Sequence, residues 1–442
     1  MTLCAVAYWP LGLAAAPLSL LEAWQHLDSD SAALQAEREA SRRAESERQA
    51  ADALGGPSLS LGATYLYLDQ PVSLDLSGTL PSILPPGLIS PVNLTERSIY
   101  RTSLRGQWPL YAGGRIDAAQ AVKQAEMEAQ KQQLEIRRRE QFNLLVERYY
   151  GVLLAKQNAQ LRQAQVTARR SHARNARLLE EQGQIARVER LNAEVALEQA
   201  QVAARQADSE LRIAQRALAS LLRQEGGEPM IYGAERLSVP PVAPLEQALV
   251  ETHPALKLFD AKERQAQGAI KAEKGRYKPE LGLFGTYTLL EDDSLLSDLE
   301  PEWMVGVRFT MPLVTNDGRR DRVKAARSAE LEARHRRAQA EQDLRLLLVS
   351  QHEAMRQAAD QFESYYATIA LAQENRHLRQ EAFSQGLATS LELVDADQSL
   401  TAAQLGQAFS RYQYLKALAQ VMSLSGQIEP FFSQISASEI AQ

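Results

Sequence analysis

Six histidines, His26, His172, His253, His335, His352 and His377, are scattered along the 442-residue chain. None belongs to a His-Glu-x-x-His pair, and the single cysteine, Cys4, has no second thiol to join in a metal site. Neither a Walker phosphate loop nor a Gly-x-Ser-x-Gly nucleophile elbow occurs. Carboxylates are plentiful, but they sit at solvated spacing in helical segments. The expectation is a protein that is not an enzyme and carries no cofactor and no metal. Glu189 and Glu392 stand at matching places, six residues after Gly183 and Gly386, each at the start of a helical segment. A negative charge in a first helical turn is favoured by the helix dipole.

Composition narrows the class. Ala, Gln, Glu, Arg and Leu crowd residues 115–225 and 319–425, which is the make-up of long helices. A net charge of -6 gives no concentrated basic face and so no reason to expect nucleic acid. Clusters such as Arg137-Arg138-Arg139 lie among Glu and Gln and read as solvated helix faces. No run of 18 uncharged apolar residues follows the N-terminal segment, so a membrane crossing has to be made of β-strands. Residues 1–16 are apolar and end in Ala14-Ala15-Ala16, as a signal peptide with a small-residue cleavage site would. No Lys or Arg precedes Arg38, and a buried apolar N-terminus is the alternative.

The helices must be positioned by something, and that something occurs twice. Strands are predicted at 57–68 and 98–110 and again at 279–290 and 302–312. In the first pair Leu59, Leu61, Ala63, Tyr65 and Tyr67 share a face, as do Tyr100, Leu104, Trp108 and Leu110. Arg101, Ser103, Arg105 and Gln107 take the other face. In the second pair Leu281, Leu283, Tyr287, Trp303, Val305, Val307 and Phe309 alternate with Gly282, Thr286, Gly306 and Arg308. This is the pattern of a barrel wall with lipid outside and water inside, in which Tyr65, Tyr67, Trp108, Tyr287, Trp303 and Phe309 face lipid. Four strands leave open edges, so several chains must close the sheet together.

Each strand pair feeds a helical run free of proline, 110–228 and 313–429, broken at Gly183 and at Gly386. Both glycines read as C-caps at chain reversals. The predicted helices are 19–54, 115–180 and 187–223 in a first repeat, 17–225, and 245–275, 319–384 and 389–425 in a second, 245–428. A linker at 226–244 and a tail at 429–442 complete the chain. The longest helices, about 66 residues, would each span about 100 Å. Each could be flanked by two shorter ones stacked end to end.

The duplication in this order resembles the TolC-like outer-membrane efflux protein family over nearly the whole chain. The residues that carry the resemblance are Pro109-Leu110-Tyr111-Ala112-Gly113-Gly114-Arg115 and Pro312-Leu313-Val314 with Gly318-Arg319, where strands exit, and the tip Gly386 followed by Leu391-Glu392-Leu393-Val394-Asp395-Ala396. The resemblance implies an α-plus-β-barrel fold in which three chains form a twelve-stranded β-barrel in the outer membrane continuous with a twelve-helix periplasmic tunnel. It implies an exit duct for small molecules, working with a periplasmic adaptor and an inner-membrane transporter of the RND, ABC or MFS class. A periplasmic aperture would lie at Glu392 and Asp395, with Glu189 and Phe383 beside it, and the adaptor would dock at the tips around Gly183 and Gly386. One example of the family has an Arg two residues after the second tip glycine and a Tyr three before it. Here Ala388 and Phe383 occupy those places, which leaves Arg187 and Arg190 as candidate latch residues. The alternatives are an outer-membrane component of type I polypeptide secretion and, in a different class, a soluble coiled-coil scaffold.

Overall fold

The computed structural model describes residues 17–74, 92–224, 228–230, 237–291 and 301–437. The expected signal peptide, most of the loop between the first strand pair and the acidic stretch 292–300 lie outside the described residues. In chain order the elements are α1 (Leu20–Asp30), α2 (Ala32–Asp52), β1 (Ser58–Tyr67), β2 (Ser98–Ala112), α3 (Arg115–Glu181), α4 (Arg187–Leu222), α5 (Val242–Thr252), α6 (Pro254–Gly275), β3 (Glu280–Glu291), β4 (Trp303–Thr310), α7 (Arg319–Ser384), α8 (Ser390–Leu424) and α9 (Ile428–Ala437). Two-residue strand pairs join Pro17–Leu18 to Glu228–Pro229 and Ser73–Leu74 to Val92–Asn93.

The sequence expects single helices at 19–54 and 245–275, and both are broken in two. Ser31 ends α1 in an extended conformation, among Ser and Asp side chains that compete for backbone hydrogen bonds. His253 is forced out of the helical region by Pro254, which then serves as the first residue of α6. The expected tail also needs correction, because Ile428–Ala437 is a helix with Phe431 fully buried.

The chain forms two compact units, one of Met1–Ser41, Gln130–Leu258 and Arg336–Gln442, the other of Arg42–Ala129 and Phe259–His335. The core of the first is aromatic at its centre. Phe142 meets Trp24, Phe431 and Phe432 edge to face, with ring centroids 5.4, 5.3 and 5.8 Å away. Tyr149 donates to the Leu18 carbonyl at 2.7 Å and accepts from the Met230 amide at 2.9 Å, which satisfies a buried hydroxyl. Arg139 donates to the carbonyl of Ser423 at 2.7 Å and so covers the end of α8. A stripe of small residues on α4, Ala193, Ala196, Ala200, Ala204 and Ala207, is buried and permits close approach of neighbouring helices.

The second unit holds one antiparallel sheet in the order β1-β2-β3-β4. Register fixes the faces. Leu61 pairs with Leu104, Leu104 with Tyr287 and Tyr287 with Trp303, so one face is apolar across all four strands. That face is uncovered within the chain: Tyr65, Tyr67, Trp303 and Phe309 are each more than 60% exposed. Trp108 and Tyr287 lie on it too, and the Trp108 indole donates to the Gly55 carbonyl at 3.1 Å. The strand limits differ from expectation at the exits. β2 continues to Ala112 through an irregularity after Pro109, because pairing resumes between Tyr111 and Leu281. β4 stops at Thr310, opposite the first residue of β3, and Pro312, which has no N–H to offer, lies beyond it. Gly113, Gly114 and Gly318 take positive φ where the chain turns into α3 and α7. At Gly113 a Cβ would stand 2.5 Å from the Gly275 carbonyl, so no side chain fits there.

Phe431 is the best test of whether α9 belongs to the core. Phe431→Ala is expected to cost about 3–5 kcal/mol in the helical unit, read as a lower unfolding midpoint by circular dichroism of the detergent-solubilised protein. Phe431→Leu should recover most of it.

Candidate functional site at the helical tips

The reversals between α3 and α4 and between α7 and α8 are built alike. Gly183 and Gly386 both have φ 72, and each turn carries the paired hydrogen bonds of a Schellman motif. In the first, the amides of Gly183 and Gln184 bond the carbonyls of Glu180 and Leu179; in the second, those of Gly386 and Leu387 bond Phe383 and Ala382. The helices that follow differ at their caps. Ala186 gives α4 no side-chain cap, whereas Thr389 and Glu392 form a capping box at α8, with bonds of 3.0 and 3.3 Å.

The acids read from the sequence have unequal roles. Glu392 is held by that box and by Arg379 at 3.2 Å. Glu189 reaches the other reversal, where its carboxylate accepts from the Ser390 amide at 2.7 Å while the Ser390 hydroxyl donates to the Glu189 carbonyl at 2.9 Å. Asp395 is exposed, whereas Glu392 and Glu189 are partly so. Phe383, expected at an aperture, is instead buried with Ala173, Ala176, Ala193 and Leu393 and stacks edge-on against His172 at 4.5 Å. Of the candidate latch residues, Arg190 pairs with Glu180 and Glu194, the latter at 2.8 Å, and so braces its own hairpin.

The contacts that tie α3, α7 and α8 together come from residues the sequence did not single out. Arg169 on α3 is 2% exposed and donates to the Val394 carbonyl at 2.7 Å, with the Asp397 carboxylate 3.5 Å away. Arg376 on α7 binds the other oxygen of Asp397. One carboxylate therefore grips two helices from a third. The signal was present but weak: Asp397 and Thr401 continue the buried spacing of Leu393 on α8, so a charge stands where an apolar residue is due. A cavity of about 420 Å³ opens beside this pair between α3 and α7, floored by Leu393 and Asp397 and lined by His172, Asn175 and Gln380. No cluster suited to a metal occurs among the described residues.

Burial, reinforced by the charge of Arg169, pushes His172 down to about 4, against the pull of Asp397 and Glu189. Its Nε2 is buried without a hydrogen-bond partner. Burial likewise holds His253 at about 4 and lowers Arg169.

The model of the family described as outer membrane efflux protein matches residues 24–223 and 245–427. The chain belongs to this family. Family membership places it in the outer membrane. No curated protein sequence gives a significant match. Among solved structures, the outer-membrane channel OprN superposes with a TM-score of 0.77 at 16% identity, covering 96% of this chain and 99% of its own. The Campylobacter jejuni CmeC outer membrane channel gives 0.78 at 14%, covering 95% and 89%. The open state of the Neisseria gonorrhoeae MtrE outer membrane channel gives 0.75 at 16%, covering 92% and 89%. At such identities the likeness is one of fold: long helices joined to a small antiparallel sheet, in family and neighbours that are channels and not enzymes.

The depressed histidines set a pH window. A neutral imidazole favoured in the fold contributes stability above the unfolded pKa near 6.5, and that contribution is lost as pH falls from there towards 4. Each of His172 and His253 is expected to forfeit roughly 2–3 kcal/mol across this range. His172→Phe should flatten the fall in unfolding midpoint between pH 6.5 and 4.5, leaving the share due to His253.

Proposed function

We propose that three copies of this chain close their sheets into one barrel and act as the exit duct of a tripartite efflux system. The duct conducts small molecules passively from periplasm to exterior once a periplasmic adaptor and an inner-membrane transporter have joined it. The observation that carries this reading is the four-stranded sheet with an uncovered apolar face and two unpaired edges, β1 and β4. In lipid every backbone polar group needs a partner, so such a sheet has to close on other copies. Two copies would give eight strands, whose interior is just filled by side chains; three leave room for a lumen. The polar face, with Arg101, Arg105 and Arg308, then lines that lumen.

Gating is assigned to the tips around Gly183 and Gly386, where the adaptor docks. The closed arrangement is held by Glu189 on Ser390 and by Arg169 and Arg376 on Asp397, in place of the Arg and Tyr seen in one example of the family. Opening requires α7 and α8 to move against α3, which breaks the grip of Asp397. The acid that meets a passing ion is Asp395, since Glu392 is committed to Thr389 and Arg379.

Two measurements test this. Detergent-extracted protein should have a native mass near three times the 49.0 kDa chain, less any cleaved leader, and should conduct in planar bilayers. Recovery as a soluble monomer would overturn the duct. In conducting channels Asp395→Asn should lower cation preference more than Glu392→Gln, and Asp397→Ala should raise resting conductance; the reverse order, or no change, would remove the gate from these residues.

A further inference from the structure

The polar face of the sheet carries a charge pattern that neither the duplication nor the gate explains. On β2 the residues Arg101, Ser103, Arg105 and Gln107 alternate with the lipid-facing set, and register carries this face to Ser58, Ser60, Gly62 and Thr64 on β1. On β3 it continues through Thr286, Phe284 and Gly282, and on β4 through Met304, Gly306 and Arg308. Arg101 faces Glu291 across the strands at 3.5 Å, and at the exit Glu280 pairs with Arg115 at 2.6 Å. Glu302, just before β4, accepts from the Thr288 amide at 2.8 Å through its backbone carbonyl and adds one anion to this face. Arg105 and Arg308 pair with no carboxylate among the described residues. Arg105 is exposed, and Arg308 rests its guanidinium 4.9 Å from the centre of the Phe284 ring, which orders the side chain without neutralising it.

The two arginines are not at one level. Arg105 lies opposite Thr286, and Arg308 opposite Gly282, four residues along β3. At the strand rise this offsets them by about 13 Å, so they form two tiers and repel one another little. Both are built on strands: Arg105 on β2, which is paired on both sides, and Arg308 on β4, which is paired with β3.

We propose that Arg105 and Arg308 form an anion-attracting collar inside the barrel, and that organic anions, carboxylates, sulfonates or phosphate esters, are the solutes this duct passes most readily. The inference rests on the trimeric duct proposed above. In a trimer the collar holds six guanidiniums in two rings of three, in a lumen walled by low-dielectric protein. Rings of Arg or Lys favour anions in pores, and a narrow polar passage focuses their field. The sign is opposite to that of Asp395 at the tips, so each region screens a different property of a passing ion.

The test is the reversal potential of the full-length protein in planar bilayers under a KCl gradient, which gives the chloride-to-potassium permeability ratio, followed by replacement of chloride with gluconate as an organic anion. R105Q/R308Q should lower the anion-to-cation ratio by about threefold or more, and R105K/R308K should keep it, because the charge is retained. The acidic stretch 292–300 is common to all variants and cancels from the comparison. Should the double Gln variant give no channels, R105Q and R308Q singly are read the same way. A conducting Gln variant with an unchanged ratio overturns the collar while leaving the duct in place. Absence of any trimer or conductance in the unmodified protein removes the duct itself, and the collar with it.

Discussion

Backbone hydrogen bonding at the edges of a four-stranded sheet constrains everything else in this protein. A sheet that buries neither face within its own chain is unstable in water, and one whose edges are open is unstable in lipid. The alternation of the four strands resolves the first problem by putting most of the apolar side chains on one face. The second can only be resolved outside the chain. A soluble scaffold would need none of this: it could use the same Ala- and Glu-rich helices with ordinary loops between them, and exposed Val305, Val307 and Phe309 would then be a liability to aggregation.

The helices follow a different logic, in which few large side chains are needed. Helical propensity and the absence of interior proline extend α3 to 67 residues and α7 to 66. Along α4 the buried residues are mostly alanine, so close approach of backbones replaces interlocking of bulky groups. The aromatic centre around Phe142 is where α1, α3 and α9 are fastened, and it concentrates much of the large-side-chain burial of that unit. Elsewhere the helices rely on small residues and on polar contacts.

Legibility in the sequence tracked periodicity. Strands with period two and helices with glycine-marked ends were readable to within a few residues, because Leu59 to Tyr67 and Gly386 with Thr389 each announce one local conformation. Breaks decided by competition were harder. Ser31 carries no stop signal as strong as Gly or Pro, and the apolar pattern continues on both sides of Pro254. The ten residues of α9 give too short a pattern to tell a helix from a tail, although Phe431 and Phe432 mark its buried face. At the tips the exposed acids were visible, whereas Arg169, Arg376 and Asp397 were not. Charges on Ala- and Gln-rich helices normally face water, and only the fold reveals that Asp397 stands on the packed side.

That burial gives the tip contacts their character. A buried ion pair adds little net stability, since desolvation offsets attraction, but removing one partner strands the other at high cost. Arg169 is almost fully buried, with Nη2 on the Val394 carbonyl and Nη1 3.5 Å from the Asp397 carboxylate. Intermediate positions of α8, with the carbonyl contact broken and the carboxylate out of reach, are therefore the least favourable of all. The neutral state of His172 fits the same scheme: burial against Phe383 and the charge of Arg169 disfavour a second cation more than Asp397 and Glu189 favour it. A network of this kind favours two arrangements, in contact or separated and solvated, over positions in which one charge is left buried alone. The partner-dependent opening proposed above needs that property, since a gate that yielded gradually would leak before the partner arrived.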